Sequence, residues 1–305
     1  MSKNNHFQMK VEEQNFFAKN GYFVQEAAYS PESMQAMGDH VNWLITKIET
    51  SDKLTTNQRE TILKRNAQAT TKTGPESLVS IFRISLFSQR MRQYMQDERK
   101  LAIAQGLLGE DLFCPNDLYF LKPPGVGKAV AWHQDSWYFN NTYQPVSGKS
   151  IESITLGTWL AIDDATVENG CLWVIPGTHK RGVVDHHDDQ NLNDQFLGNK
   201  IPVIRPELKS QAIPLEVPRG SVVYFNNALL HSSTPNTSSQ HRRAYVVHYM
   251  RADTQHQESA YFGMAKKIAD WGWGTMETYL SGQSVLGGVP TTPDAERLNW
   301  DMGIG

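Results

Sequence analysis

The chain is poor in cysteine: Cys114 and Cys171 are the only two among 305 residues. Two thiols cannot build a disulfide framework, and there is no Cys-rich zinc pattern, so a reduced compartment, the cytoplasm, is expected. Long apolar runs are missing too. None approaches the roughly 18–20 residues of a membrane span, and Met1 to Lys10 is polar, unlike a secretion signal. Charge of one sign is not in excess. The net charge of −3 gives no electrostatic reason to expect nucleic acid or an anionic membrane as partner. A phosphate-binding loop is lacking as well. Gly125-Val126-Gly127-Lys128 has the end of one, but the pattern needs Gly at 122 and Ser or Thr at 129, where Lys122 and Ala129 stand. What is present is an ordinary globular composition, 39 % hydrophobic and 20 % charged, long enough for one elaborated domain acting on a small molecule. Assembly into a homo-oligomer stays open.

The first hundred residues read mainly as helix. Val11 to Lys19 forms a short amphipathic segment stopped by Asn20-Gly21, and Tyr22-Phe23-Val24 reads as a short strand. Ser30 and Pro31 open a second helix, as N-cap and first helical residue. Its apolar positions Met34, Met37, Val41, Leu44, Ile45 and Ile48 follow helical spacing. Residues 50–75 are polar and read as surface, and two further helices are expected at 88–96 and 98–108.

From residue 117 the texture changes to short runs rich in β-branched and aromatic residues. They fall at 118–122, 129–134, 154–162, 171–175, 212–217, 221–225, 228–232 and 243–250, separated by Gly, Pro and Asn. Eight such runs predict an antiparallel barrel or jelly roll. The expected organisation is a mainly helical flank over 1–116, a metal-binding jelly roll over 117–252 and an extension over 253–305. Trp271, Trp273, Tyr279 and Trp300 in that extension argue that it packs on the barrel. The long polar segment 180–210 reads as a lid or a disordered loop.

His133-Gln134-Asp135 ends one predicted strand. Positions i and i+2 of a strand share a face, so an imidazole and a carboxylate converge. His231 ends another strand about a hundred residues later. Two histidines and one carboxylate make the facial triad of non-haem iron(II) oxygenases, which leaves three coordination positions open for a keto acid and O2. Arg242 lies at the start of the strand that follows His231, where a hairpin returns it to the barrel. A guanidinium there can grip the far carboxylate of 2-oxoglutarate through two parallel hydrogen bonds, which lysine cannot imitate. Strand alternation sends the neighbouring Arg243 the other way and cannot alone choose between the two. The spacing from His231 favours Arg242.

Together these residues carry a family resemblance. His133-Gln134-Asp135, then Glu168-Asn169-Gly170-Cys171-Leu172 and Ile175-Pro176-Gly177-Thr178-His179, then His231, Ser233, Asn236, Ser238 and Arg242 resemble the phytanoyl-CoA dioxygenase family. Phe16 to Val24 and Lys122-Pro123-Pro124-Gly125 fit the same pattern. The resemblance covers about residues 12–250. It implies a mainly β fold, a double-stranded β-helix (cupin-like jelly roll) with flanking N-terminal α-helices. It implies Fe(II), 2-oxoglutarate and O2, with release of succinate and CO2. By resemblance His133, Asp135 and His231 hold iron, while Arg242, Ser233 and Trp159 contact 2-oxoglutarate. Halogenases of this superfamily have Ala or Gly in place of the carboxylate, so Asp135 points to oxygen transfer.

The expected activity is hydroxylation of an unactivated C–H bond of a small molecule. A secondary metabolite is the expected class, for example an alkaloid such as 7-deoxycylindrospermopsin. The same iron site could instead carry desaturation, ring closure or epimerisation. A cupin-like metalloenzyme without a keto acid is a further reading, and it would not need Arg242. A silent binding module would have no use for the whole set. Tyr138, Trp137 and Trp173 are candidates to shape a water-excluding substrate pocket, with core packing the competing reading. Arg83, amid apolar neighbours, either reaches a carboxylate in the site or forms a surface ion pair. His179, His186, His187, His241 and His248 read as solvated loop or strand-end histidines.

Overall fold

In the computed structural model the β-branched and aromatic runs pair as antiparallel ladders. Residues 8–256 are described, apart from 53, 68, 111, 141–142, 145–148, 190–199 and 252–253. In chain order the first strands are β1 (Tyr22–Gln25), β2 (Leu63–Arg65), β3 (Leu78–Phe82), β4 (Leu112–Lys122), β5 (Val130–His133), β6 (Tyr143–Gln144) and β7 (Thr155–Ala161). There follow β8 (Leu172–Val174), β9 (His186–Asp188), β10 (Lys200–Pro202), β11 (Ile213–Leu215), β12 (Val222–Asn226), β13 (His231–Ser233), β14 (Arg242–Arg251) and β15 (Gln255–His256).

Seven strands form a large sheet in the order β1-β12-β7-β14-β4-β3-β2, and four form a smaller one, β11-β8-β13-β5. The central four of the large sheet lie opposite the small sheet, the arrangement of a double-stranded β-helix. Alternation along β14 sorts the two sides of the large sheet. Arg242, Ala244, Val246 and His248 face the interior, while Tyr245, Val247 and Tyr249 face a helical layer.

That layer is built from α1 (Val11–Asn20), α2 (Pro31–Thr50), α3 (Thr56–Ile62), α4 (Gln89–Met95) and α5 (Glu98–Leu108). The six apolar positions of α2 named above are all fully buried. Its start is the expected one: Ser30 accepts a hydrogen bond from the Ser33 N–H, with Pro31 at the first helical position. Likewise α1 stops on Gly21 at φ 81°, whose N–H returns to the Phe17 carbonyl.

Three sequence expectations change. Residues 50–75 are not simply surface, because α3 and β2 form there and Leu54, Ile62, Leu63 and Ala69 are buried. The polar residues of β2 are exposed while its Leu63 is buried, as at a sheet edge that a purely local reading takes for loop. The helical flank also contributes β1, β2 and β3 to the large sheet. Finally, β4 begins at Leu112, before the change of texture. Within 180–210 the described parts hold the β9–β10 ribbon. The expected packing of Trp271, Trp273, Tyr279 and Trp300 lies outside the described residues. No helix among the described residues is long and apolar enough to cross a membrane.

Candidate metal centre

His133 ends β5 and His231, expected to end its strand, instead begins β13. The two are direct cross-strand partners, with ring centroids 4.0 Å apart and planes tilted by 50°. Asp135 reaches the same point differently from the strand-alternation expectation. The strand stops at His133, and Asp135 opens a short helix, α6 (Asp135–Asn140). The intervening Gln134 makes this turn. Fully buried, its Nε2 donates to the carbonyls of Gly182 (2.9 Å) and Ala228 (2.6 Å), and its Oε1 accepts from the Val184 N–H (2.8 Å). The Ser136 N–H donates to the Asn227 carbonyl (2.8 Å). The Asp135 carboxylate thus stands 3.4 Å from His133 Nε2 and 3.7 Å from His231 Nε2.

Each imidazole is oriented by its own strand. His133 Nδ1 lies 2.8 Å from the Ala131 carbonyl and His231 Nδ1 lies 2.9 Å from that of Leu229. A carbonyl can only accept, so Nδ1 carries the proton and both Nε2 lone pairs are left free on the Asp135 side of the rings. The ligand atoms of the three residues lie within 4.8 Å of one another and could hold a metal ion. Burial, with His133 close by, pushes His231 down to about 4. Burial works against the Asp135 charge, but the facing histidines outweigh it and hold the carboxyl well below its usual range. Near neutral pH His231 is therefore a neutral imidazole and Asp135 a carboxylate, the protonation states a cation needs.

His248 is the residue sequence reasoning missed. It is buried, its Nδ1 lies 3.8 Å from Asp135 Oδ2, and its ring packs edge-on against Phe139 and Phe225. The signal was available, since His248 lies an even number of residues after Arg242 and so shares its face of β14.

The pocket extends from the metal-ligand cluster to Arg242, lined on the way by Trp159, Phe225 and Ser233. It holds about 520 Å³ of empty space, part of it open to solvent. Arg242 is 2 % exposed, and its guanidinium sits 5.6 Å from the Trp159 ring centroid. Its Nε has no hydrogen-bond partner among the described residues. Burial pulls its pKa down to about 10, so it stays charged at neutral pH. Alternation is decided here: Arg243 points to the helical side and grips Asp163 with Nε (2.8 Å) and a terminal nitrogen (2.7 Å). It is a structural tie, not a surface pair. The charge free to meet a ligand anion belongs to Arg242.

The remaining candidates divide. Trp137 and Tyr138 lie on α6 beside the centre, with the Tyr138 ring 6.5 Å from that of His133 and Trp137 stacked on His186 at 4.7 Å. Neither lines the pocket. Trp173 points away from it as well, because Leu172 on the same strand points in. Arg83 meets neither expectation. It is buried behind the large sheet, with a positive φ of 55°, and donates to the Pro115 carbonyl.

His186 is no solvated histidine either. Its Nδ1 faces the Val184 carbonyl (3.0 Å) and its Nε2 accepts from the Gln134 N–H (3.3 Å). Burial pushes it to about 4. Because both His186 and His231 are depressed from 6.5, the stability they contribute is complete above about pH 6.5 and is lost as the pH falls toward 4. For His231 alone, going from pH 7.5 to pH 5 costs about 2 kcal/mol. The urea midpoint of metal-free protein is expected to fall across that range. A flat midpoint down to pH 5 would contradict the neutral, buried histidines.

The glycine of Glu168-Asn169-Gly170 has a physical reason. At φ 89° an added Cβ would lie 2.5 Å from the Thr234 carbonyl oxygen. Gly170→Ala combines left-handed strain of about 1–2 kcal/mol with a backbone collision, so a fall in Tm of at least about 5 °C is expected. Calorimetry on the variant is the measure, and an unchanged Tm would deny the close approach.

Comparison with known proteins agrees with this geometry. The family model described as Phytanoyl-CoA dioxygenase (PhyH) matches residues 17–244. A mouse protein, Phytanoyl-CoA dioxygenase domain-containing protein 1, is 37 % identical over 140 residues, covering 44 % of this chain and 44 % of that one. The alignment thus spans under half the length of that relative. Among solved structures, iron-bound EctD from S. alaskensis has a TM-score of 0.63 at 20 % identity, covering 84 % of this chain and 82 % of its own. The carbocyclase SnoK from nogalamycin biosynthesis, described as non-heme and alpha-ketoglutarate dependent, has a TM-score of 0.61 at 21 % identity, covering 85 % and 90 %. These likenesses establish the double-stranded β-helix fold, and the matched family model spans both histidines, Asp135 and Arg242. The chain belongs to the phytanoyl-CoA dioxygenase (PhyH) family.

Proposed function

We propose that the protein is an iron(II)- and 2-oxoglutarate-dependent dioxygenase that hydroxylates an unactivated C–H bond of a small molecule. The products are the alcohol, succinate and CO2. The observation that carries the reading is a pocket with two His Nε2 atoms and a carboxylate at one end and, at the other, a buried guanidinium with no ion-pair partner among the described residues. Two imidazoles and one carboxylate suit ferrous iron with positions left open. Bound there, iron supplies activation of O2 at the expense of the keto acid. His133, Asp135 and His231 hold the ion, and Gln134 fixes the turn that aims Asp135. Arg242, backed by the Trp159 face, binds the far carboxylate, and Ser233 adds a hydroxyl beside it. Phe225, Leu118, Val130 and Leu172 give the pocket an apolar wall that limits water around a reactive centre. A cupin-like enzyme without a keto acid would leave Arg242 buried and unused, which weighs against that alternative.

We infer further that the substrate is a secondary metabolite, met in the cytoplasm. SnoK's place in nogalamycin biosynthesis supports the first part, and the shortage of cysteine supports the second. SnoK's description as a carbocyclase also keeps ring closure as an alternative outcome on the same iron site. Turnover of purified protein with Fe(II), 2-oxoglutarate and O2 against a metabolite panel tests the scheme. Succinate formed only with iron, and a product heavier by one oxygen atom, is expected. A product of unchanged oxygen content, equal in mass to the substrate or lighter by two hydrogens, would replace hydroxylation by epimerisation, ring closure or desaturation. No succinate with any candidate would remove the keto-acid reading.

A further inference from the structure

A second buried cation lies beside Arg242. Lys122, 3 % exposed at the end of β4, is the direct cross-strand partner of Arg242 on β14, so both side chains leave the sheet on one face. Lys122 Nζ donates to Ser233 Oγ at 2.7 Å and to the Thr234 carbonyl. The side chain is held there from several directions. Asn236 Nδ2 donates to the Lys122 carbonyl at 2.7 Å. The backbone of Gly170 closes over the aliphatic stem, so that an added Cβ would lie 3.0 Å from Lys122 Cδ and 3.2 Å from Nζ.

An ammonium group only donates, so in the Lys122–Ser233 bond the hydroxyl oxygen must accept. The Ser233 proton is then directed elsewhere, and no acceptor among the described residues takes it. Ser233 is buried and lines the pocket together with Arg242. A hydroxyl whose oxygen is already claimed by a lysine, and whose proton faces a pocket ending in a guanidinium, is set to donate to an anion.

Resting on the keto-acid reading above, we propose that Lys122 is a positioning residue that turns the Ser233 hydroxyl into a fixed donor for the remote carboxylate of the co-substrate. Through this relay the pocket selects a keto diacid over a keto acid lacking the second carboxylate. Lys122 itself touches neither the co-substrate nor the metal.

The test is calorimetric titration of Mn(II)-loaded protein, without turnover, with 2-oxoglutarate and with 2-oxobutanoate, which has the same keto-acid head and no remote carboxylate. Lys122→Met and Ser233→Ala are each expected to weaken 2-oxoglutarate about tenfold and to leave 2-oxobutanoate within about twofold of the parent. The double variant is expected to bind 2-oxoglutarate about as weakly as either single one, since both changes break one relay. Equal weakening of both keto acids would show a merely structural lysine and overturn the proposal, as would fully additive losses. Unchanged 2-oxoglutarate affinity in Ser233→Ala would overturn it whether or not Lys122→Met folds. Parent protein that binds Mn(II) but no 2-oxoglutarate would instead bring down the keto-acid reading itself, a result distinct from any of these.

Discussion

Replacing Asp135 with alanine is expected to abolish oxygenation, lowering kcat/KM by at least about three orders of magnitude, or about 4 kcal/mol of transition-state stabilisation. The size follows from what the carboxylate is. It is the single anion of the centre, it lies 3.4 Å and 3.7 Å from the two imidazole Nε2 atoms, and its removal leaves two neutral ligands for a dication. Stability should respond little. Asp135 meets His133, His231 and His248, while the turn that carries it is secured by Gln134 and the Ser136 N–H. The expected signature is therefore lost succinate formation and weakened Fe(II) binding at near-parental Tm. Calorimetric metal titration and thermal unfolding on the same preparation separate the two. Full turnover in the variant would remove Asp135 from the metal centre, and a collapsed Tm would make it a folding residue.

The parts of this site that were legible in the sequence are those fixed by local pattern. Seven of the eight β-branched runs found their strands because both faces of a sandwich strand are chosen by burial; in 228–232 only the last two residues are strand, since β13 begins at His231 after a turn. Helix α5 falls on 98–108 as spacing predicts. The triad and Arg242 were legible because few chemistries use that donor set. What escaped was decided by contacts distant in sequence. Strand β3 exists because β4 offers it a ladder, and edge strand β2 because β3 does, and nothing in the polar run around Leu63 announces it. Asp135 was placed on a strand because alternation explains convergence cheaply, whereas the actual cause is a side chain, Gln134, reaching Gly182 and Ala228. Arg83 among apolar neighbours looked like a site residue or a surface pair. Its fate depended on a carbonyl, Pro115, thirty-two residues away. His248 was within reach of strand alternation and was lost to the expectation that strand-end histidines are solvated.

Arg242→Met is expected to move binding and stability in opposite directions. The guanidinium is 2 % exposed, its Nε lacks a partner among the described residues, and the Asp163 carboxylate is spent on Arg243. Folding this chain without ligand thus buries a charge whose desolvation is offset by little more than the Trp159 face. Such an arrangement is costly for stability and is tolerated where function requires it. Methionine fills similar space and removes the charge, so the ligand-free variant should unfold at a Tm equal to or above that of the parent. With a diacid bound, the same charge becomes one half of a buried, bidentate pair, and deleting one partner of such a pair costs about 3 kcal/mol, or on the order of 100-fold in Kd. Titration with 2-oxoglutarate should therefore show about 100-fold weaker binding, while the Fe(II) affinity of the His133, Asp135 and His231 cluster stays within a few-fold. Ligand-induced stabilisation, large in the parent, should shrink by the same free energy at a concentration well above both dissociation constants. A variant that loses Tm and iron together would mark Arg242 as structural. One that binds 2-oxoglutarate as the parent does would leave the far end of the pocket without its anion.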